Sequence, residues 1–162
     1  MLYITLYLSA IVLANLSVAH FGPSISIVNS FLFIGLDLTT RDKLHDKWDN
    51  NNLWSKMFAL IAAGSILSWG LNRNAGPIAF ASFVAFASAA TVDALTYQAL
   101  HKHPRWLRIN GSNVPSAAID SIVFPALAFG FPLLLTIMLG QFVAKVLGGF
   151  VWFILLQKYK NK

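Results

Sequence analysis

Long apolar stretches occupy most of the 162-residue chain and leave little room for anything but membrane-spanning helices. Hydrophobic residues make up 57% of the sequence and charged residues 11%, whereas a soluble domain carries about 25% charged residues. A spanning helix needs about 20 apolar residues. Six segments approach this length, of which the second is short: 2–20, 24–38, 53–72, 76–99, 113–132 and 134–157. We therefore expect residues 1–162 to form a single all-α domain, a compact six-transmembrane-helix bundle of a polytopic membrane protein.

The basic residues are distributed unequally between the two sides of such a bundle. With six spans, one side carries only Arg73, and Lys145 lies inside the last span. Short cytoplasmic loops carry an excess of Lys and Arg, so both termini are predicted to be cytoplasmic, in the inner cell membrane. A high isoelectric point can indicate nucleic-acid binding, but here the basic residues are accounted for by membrane orientation, and we expect no nucleic-acid partner. The side with both termini holds Arg41, Lys43, Lys47, Lys56, Lys102, Arg105, Arg108, Lys158, Lys160 and Lys162.

The sequence lacks the motifs of the common enzyme classes. It contains no cysteine, which excludes disulfides, iron–sulfur clusters, thiolate zinc sites and a cysteine nucleophile. It has no HExxH, GxSxG or P-loop pattern. His101 and His103 lie in a basic loop without a companion cluster. We expect no enzymatic activity, no metal and no cofactor.

Three charged residues lie inside the predicted spans: Asp93, Asp120 and Lys145. A charge at the centre of a bilayer costs about 2.5–3.5 kcal/mol on insertion scales, so such residues pair with one another or serve a function. Lys145 is expected to pair with Asp93 or with Asp120. The other carboxylate then needs a proton, water or a ligand donor. An aspartyl protease is disfavoured, because its two carboxylates must share a proton and Lys145 would favour ionisation of both.

Other polar residues lie on the same helical faces as these charges. Asn113 and Ser116 precede Asp120 by seven and four residues, so the three form one stripe of the fifth span. We expect this stripe to bind a ligand; the alternative is a packing kink at Pro125, with Asp120 buried in a salt bridge. The further candidates are Tyr97, which shares a face with Asp93; Gln141, which shares a face with Lys145; and the amides Asn15 and Asn29.

The segment DLTTR at residues 37–41 closes the second predicted span. Asp37 and Arg41 are four residues apart and could pair if the helix continues. The residues that follow, DKLHDKWDNNN, are expected to form a solvated polar connection.

Five segments in the same order resemble the queuosine-precursor transporters, which belong to the vitamin-uptake-transporter-like (VUT) group. The most specific match carries its asparagine and aspartate at the family's spacing, in SNVPSAAIDSIVF at 112–124. The sequence departs from the family at Ala117, where glutamine is frequent, at Gln141, where an acid is frequent, and at Phe142, where tyrosine is frequent. The other segments are ANLSV at 14–18, FIGLDLTTR at 33–41, VDALTYQAL at 92–100 and FVAKVL at 142–147.

The resemblance implies import of 7-deazaguanine queuosine precursors, preQ0 or preQ1, from outside the cell. On this hypothesis Asp120 and Asn113 bind the base, Asp93 assists, and Lys145 keeps one carboxylate ionised. Asp37, Thr39 and Arg41 match the family's cytoplasmic signature. The partners are then a small deazaguanine-type molecule and the lipid bilayer.

Two other functions fit the sequence. The chain could be the substrate-binding membrane subunit of an importer that is energised by a separate ATPase. It could also be a small pore-forming or assembly protein of the membrane. The sequence leaves open the choice between preQ0 and preQ1, the coupling to energy, and whether the chain forms a homo-oligomer.

Overall fold

Helices account for nearly all of the structure. The computed structural model describes residues 2–48 and 52–160, and this part of the chain contains no strand. The predicted all-α class is confirmed. The elements are α1 (Leu2–Phe21), α2 (Ile25–Asn29), a π-helical turn (Ser30–Ile34), α3 (Gly35–Trp48), α4 (Leu53–Leu71), a 3₁₀ turn (Arg73–Ala75), α5 (Gly76–Ala99), α6 (Arg105–Phe129) and α7 (Leu135–Lys160).

The elements α2, the π turn and α3 form one continuous rod. The residues at their junctions, Asn29, Ser30 and Gly35, all have right-handed helical backbone angles. The helix therefore continues ten residues beyond the predicted span end at residue 38, and the first seven residues of the predicted polar connection, 42–48, are helical. Residues 49–51 of that connection lie outside the described residues. No glycine or proline lies between Gly35 and Trp48 to stop the helix. The rod is about 36 Å long at 1.5 Å per residue.

The fifth predicted span also differs at its start. It begins at Arg105 and not at residue 113, directly after Pro104, whose fixed backbone angle suits a helix start. It ends at Phe129 because Gly130 takes a positive φ of 72°, which side-chain-bearing residues rarely adopt. The other four helices agree with their predicted bounds to within three residues.

Within residues 2–48 and 52–160, three helical segments are both long enough and apolar enough to cross a membrane: Leu2–Phe21, Arg73–Ala99 and Leu135–Trp152. The apolar segment Ser55–Leu71 is shorter. The rod α2–α3 and helix α6 do not reach this apolarity, because they carry the polar residues of the DLTTR segment and of the 105–120 region. The structure thus supports a multi-pass membrane protein in which the two most polar long helices are shielded by more apolar neighbours.

Each long helix packs against at least two others. Helix α5 lies along α6 over most of its length, and α4 packs against both α1 and α5. Helix α3 packs against α1 and α7, and the π turn also lies on α7. The core between α1, α3 and α4 buries Tyr7, Ile11, Leu44, Met57 and Ile61. By contrast, α3 has little close backbone contact with α5 or α6 in the described residues.

Glycines fasten the rod to α7. A Cβ atom on Gly148 would collide with the carbonyl oxygen of Phe31, and one on Gly35 would lie 2.6 Å from the carbonyl carbon of Gly148. Small residues allow this close approach of two membrane helices. Near the crossing, the Trp152 indole donates a 2.8 Å hydrogen bond to the Leu32 carbonyl in the π turn. Backbone contact therefore fixes the position of α7 relative to the π turn.

We expect Gly148→Ala to destabilise the protein by about 1–3 kcal/mol, because an added methyl group has no space and the backbones must separate. Gly70→Ala is the matched control, since no atom lies within 4 Å of its added Cβ. Thermal unfolding of the purified protein in detergent measures both. Equal unfolding temperatures for the two variants would contradict the tight crossing.

Candidate functional site

Lys145 is a buried ammonium whose hydrogen-bonding capacity is filled. Its Nζ lies 2.7 Å from Asp120 Oδ2 and donates to Ser121 Oγ at 3.0 Å and to Gln141 Oε1 at 3.2 Å. An ammonium group has three donors, so these contacts use all of them. Only 2% of Lys145 is exposed. The partner of Lys145, which the sequence left open, is thus Asp120.

Gln141 extends this network from α7 to the start of the rod. It lies one helical turn before Lys145, so its amide oxygen reaches the ammonium. Its amide nitrogen donates to Ser26 Oγ at 2.8 Å, and the Ser26 hydroxyl donates to the Pro23 carbonyl. One chain of hydrogen bonds therefore joins α6, α7 and α2 around a buried charge pair.

A small cavity with both polar and apolar lining residues adjoins the Asp120–Lys145 pair. Its volume is about 30 Å³, and a water molecule needs roughly 10–15 Å³ on this measure, so it has room for about two waters. Any larger ligand requires the helices to move apart. The cavity is lined by Ala14, Asn15, Val18, Ser26, Asn29, Ser30, Ile34, Ser82, Phe86, Asp120, Phe124, Gln141 and Lys145.

Two buried amides stand in the wall of this cavity. Asn15 Nδ2 donates to Ser68 Oγ on α4 at 3.1 Å. Asn29 Nδ2 donates to Ser17 Oγ at 2.6 Å and to the Ala14 carbonyl at 3.2 Å, both on α1. These bonds engage the amide nitrogens and not the amide oxygens. Both residues thus hold helices together and also contribute polar surface to the cavity.

A second polar cluster surrounds Arg41. The guanidinium donates from Nη2 to Asn113 Oδ1 at 3.0 Å and from Nη1 to Ser116 Oγ at 3.5 Å. Its Nη2 also lies 3.6 Å from Asp93 Oδ1, and both charged side chains are buried. The predicted spans contain one cation, Lys145, for two aspartates. Arg41 is the second cation, because the helix continues through the segment that was predicted to end the span.

Tyr97, Asp37 and Thr39 complete the set of residues predicted from the sequence. Tyr97 is half-buried, and the Arg108 guanidinium lies 4.0 Å from the centre of its ring. Asp37 is buried within α3. The Thr39 hydroxyl donates to the carbonyls of Gly35 and Gly149, which strengthens the contact between the rod and α7.

The two clusters follow one another along α6. Asn113 and Ser116 contact Arg41, and Asp120 contacts Lys145. The rise from Asn113 to Asp120 is about 10 Å. Of the nine residues proposed for a ligand, Asn15, Asn29, Asp120, Gln141 and Lys145 line the cavity, and Asn113, Ser116, Asp93 and Tyr97 do not.

Sequence reasoning did not propose several residues that line the cavity or its charge pair, among them Ser26, Ser82, Phe86 and Ser121. Two of these residues could have been predicted from helical spacing, because Ser82 and Phe86 share with Asp93 the buried face of α5. Ser26 could not, since its role depends on a contact with another helix.

Comparison with known proteins gives one family. The family model described as "Putative vitamin uptake transporter" matches residues 25–157 of the chain. No curated protein and no solved structure matches the chain. The matched segment includes both polar clusters and all of the cavity lining except the part contributed by α1.

We expect Lys145→Met to lower the stability of the protein by about 3–5 kcal/mol, because it leaves the Asp120 carboxylate buried without its cation. The double variant Lys145→Met/Asp120→Leu removes both charges and should recover most of that loss. Thermal unfolding of the two variants, with Asp120→Leu to complete the double-mutant cycle, gives the coupling energy. Additive effects of the two substitutions would contradict the pairing.

Proposed function

The chain belongs to the vitamin uptake transporter family, and we propose that it imports 7-deazaguanine precursors of queuosine, preQ0 or preQ1, through the cavity beside Asp120. Membership of this family and the apolar helices make it a multi-pass membrane transporter of a small molecule. The observation that carries the finer proposal is the Asp120 carboxylate, buried against Lys145 at the edge of a small cavity.

The chemistry of a deazaguanine suits this cavity. The guanine-like edge presents a ring N–H and an amino group, and one carboxylate can accept both hydrogen bonds. Lys145 occupies Asp120 Oδ2 and stabilises the negative charge that makes the carboxylate a strong acceptor. The Asn15 and Asn29 amides offer polar partners for the rest of the base.

Aromatic side chains supply the apolar part of the proposed site. Phe86 and Phe124 both line the cavity, one on α5 and one on α6. A planar bicyclic base can stack on such rings, which bury a large area at low entropic cost. Because the cavity now holds about two waters, binding must separate α6 from the helices that face it.

The position of the cavity is consistent with import. Asn15, Ser26, Asn29 and Gln141 all lie in the halves of their helices nearer to the connections at 22–24 and 130–134. Lys43, Lys56, Lys102, Arg105 and Arg108 belong to segments at the opposite end of the bundle, which we call the basic end. If the basic end is cytoplasmic, with both termini inside, the cavity is nearer to the outer surface, where the precursor arrives.

Binding to the purified protein tests the proposed ligand. We expect preQ0 or preQ1 to bind more tightly than adenine, which presents a different donor pattern. Asp120→Asn should weaken binding about 10- to 100-fold, because it replaces a charged acceptor that is worth about 1.5–3 kcal/mol. Thr91→Ala is the control: its exposed hydroxyl bonds only to the Ala87 carbonyl on α5. Equal affinities for the Asp120→Asn and wild-type proteins would contradict the assignment.

Transport by the chain alone separates the proposal from its two alternatives. Vesicles that contain only this protein should accumulate the labelled precursor faster than empty vesicles. Binding without uptake would indicate a subunit that requires an ATPase partner. Ion leakage without precursor binding would indicate a pore. Cross-linking in the same vesicles reports whether the transporting form is a homo-oligomer.

A further inference from the structure

We propose that Asp93, together with Arg41, is a second ligand station between the cavity and the basic end of the bundle, which takes the same N–H donor edge after it leaves Asp120. This inference rests on the proposed function. It assigns Asp93 to a later step of transport and not to the initial binding of the base, where the sequence had placed it beside Asp120.

The position of the cluster supports a later step. Arg41 is bound by Asn113 and Ser116, which lie on α6 between Asp120 and the basic end. Asp93 lies in the half of α5 nearer to the same end. The cavity lining includes Asp120 but neither Arg41 nor Asp93. A ligand that moves from the cavity to the basic end along α6 therefore meets this cluster about 6–10 Å beyond Asp120.

The buried carboxylate of Asp93 can accept hydrogen bonds from a ligand. Only 5% of the residue is exposed, and its Oδ1 atom makes no hydrogen bond within the described residues. The nearest cation atom, Arg41 Nη2, is 3.6 Å away, which is longer than the 2.7–3.2 Å of a hydrogen bond. A buried carboxylate oxygen without a donor is costly, so a ligand that supplies N–H groups gains that free energy on arrival. The Asp120 carboxylate, in contrast, is already in contact with an ammonium at 2.7 Å.

The packing around Arg41 allows the station to open. Helices α5 and α6 lie closely along each other, and α3 packs on α1 and α7. Between α3 and the α5–α6 pair, close backbone contact is sparse in the described part of the chain. The long side chain of Arg41 crosses this seam to reach α5 and α6. Rotation of Arg41 away from α6 would widen the seam with little loss of close contact between α3 and the α5–α6 pair, and would leave the carboxylate of Asp93 to the ligand.

The two stations predict a separation of binding from transport. In purified protein, Asp93→Asn should retain the wild-type affinity for the precursor within about twofold, because the cavity is unchanged. In vesicles that contain the same variant, the uptake rate should fall at least about tenfold. Thr91→Ala, on the same helix, should keep both properties. Asp120→Asn, in contrast, should already lose affinity for the precursor in the purified protein. The binding measurement therefore distinguishes the two aspartates.

Two results would overturn the second station. One is wild-type uptake by Asp93→Asn. The other is a loss of affinity in Asp93→Asn equal to that in Asp120→Asn, which would place both carboxylates at one site. If Asp93→Asn does not fold, as its unfolding temperature would show, Arg41→Lys carries the same test: it keeps the charge but not the two-pronged donor, and wild-type uptake by it would also overturn the station. Absence of binding by the wild-type protein would instead reject the proposed function.

Discussion

The buried pair of Asp120 and Lys145 is the constraint on which the rest of the bundle depends. Removing two charges from water costs several kcal/mol for each ion, and attraction offsets this cost only when the geometry is good and the remaining donors are satisfied. Here Ser121 and Gln141 take the other two ammonium protons. The pair therefore fixes the register of α6 against α7, and Gln141 carries that register to the start of the rod through Ser26.

The polar helices depend on the apolar ones. The rod and α6 hold most of the buried charges and are too polar to resemble ordinary spanning helices. They are tolerable in a bilayer because α1, α5 and α7 present apolar surfaces outward, while the charged side chains point into the bundle. Arg41 shows the same logic: its segment was predicted to close the second span, yet only 4% of the residue is exposed.

The sequence was sufficient for features that depend on one helix at a time. The number of long helices, most of their ends and the shared face of Asn113, Ser116 and Asp120 all follow from local patterns. It failed where contacts between helices decide the outcome. The choice of Asp120 over Asp93 as the partner of Lys145 requires the packing of α6 on α7, and the reach of Arg41 to Asp93 requires the packing of three helices. A charged segment such as DLTTR looks identical in a loop and in a buried helix until its partners are known.

The structure contains one tight contact between backbones and one contact made mainly by a long side chain. At the crossing of the rod with α7, the backbones of Gly35 and Gly148 touch, so any shift there meets immediate steric resistance. At the seam between α3 and the α5–α6 pair, a flexible side chain spans the gap and hydrogen bonds can be exchanged one at a time. A transporter must open toward one side without losing its fold. The glycine crossing holds the rod on α7 and the Asp120–Lys145 pair holds α6 on α7, so the Arg41 seam between α3 and the α5–α6 pair suits the contact that opens first.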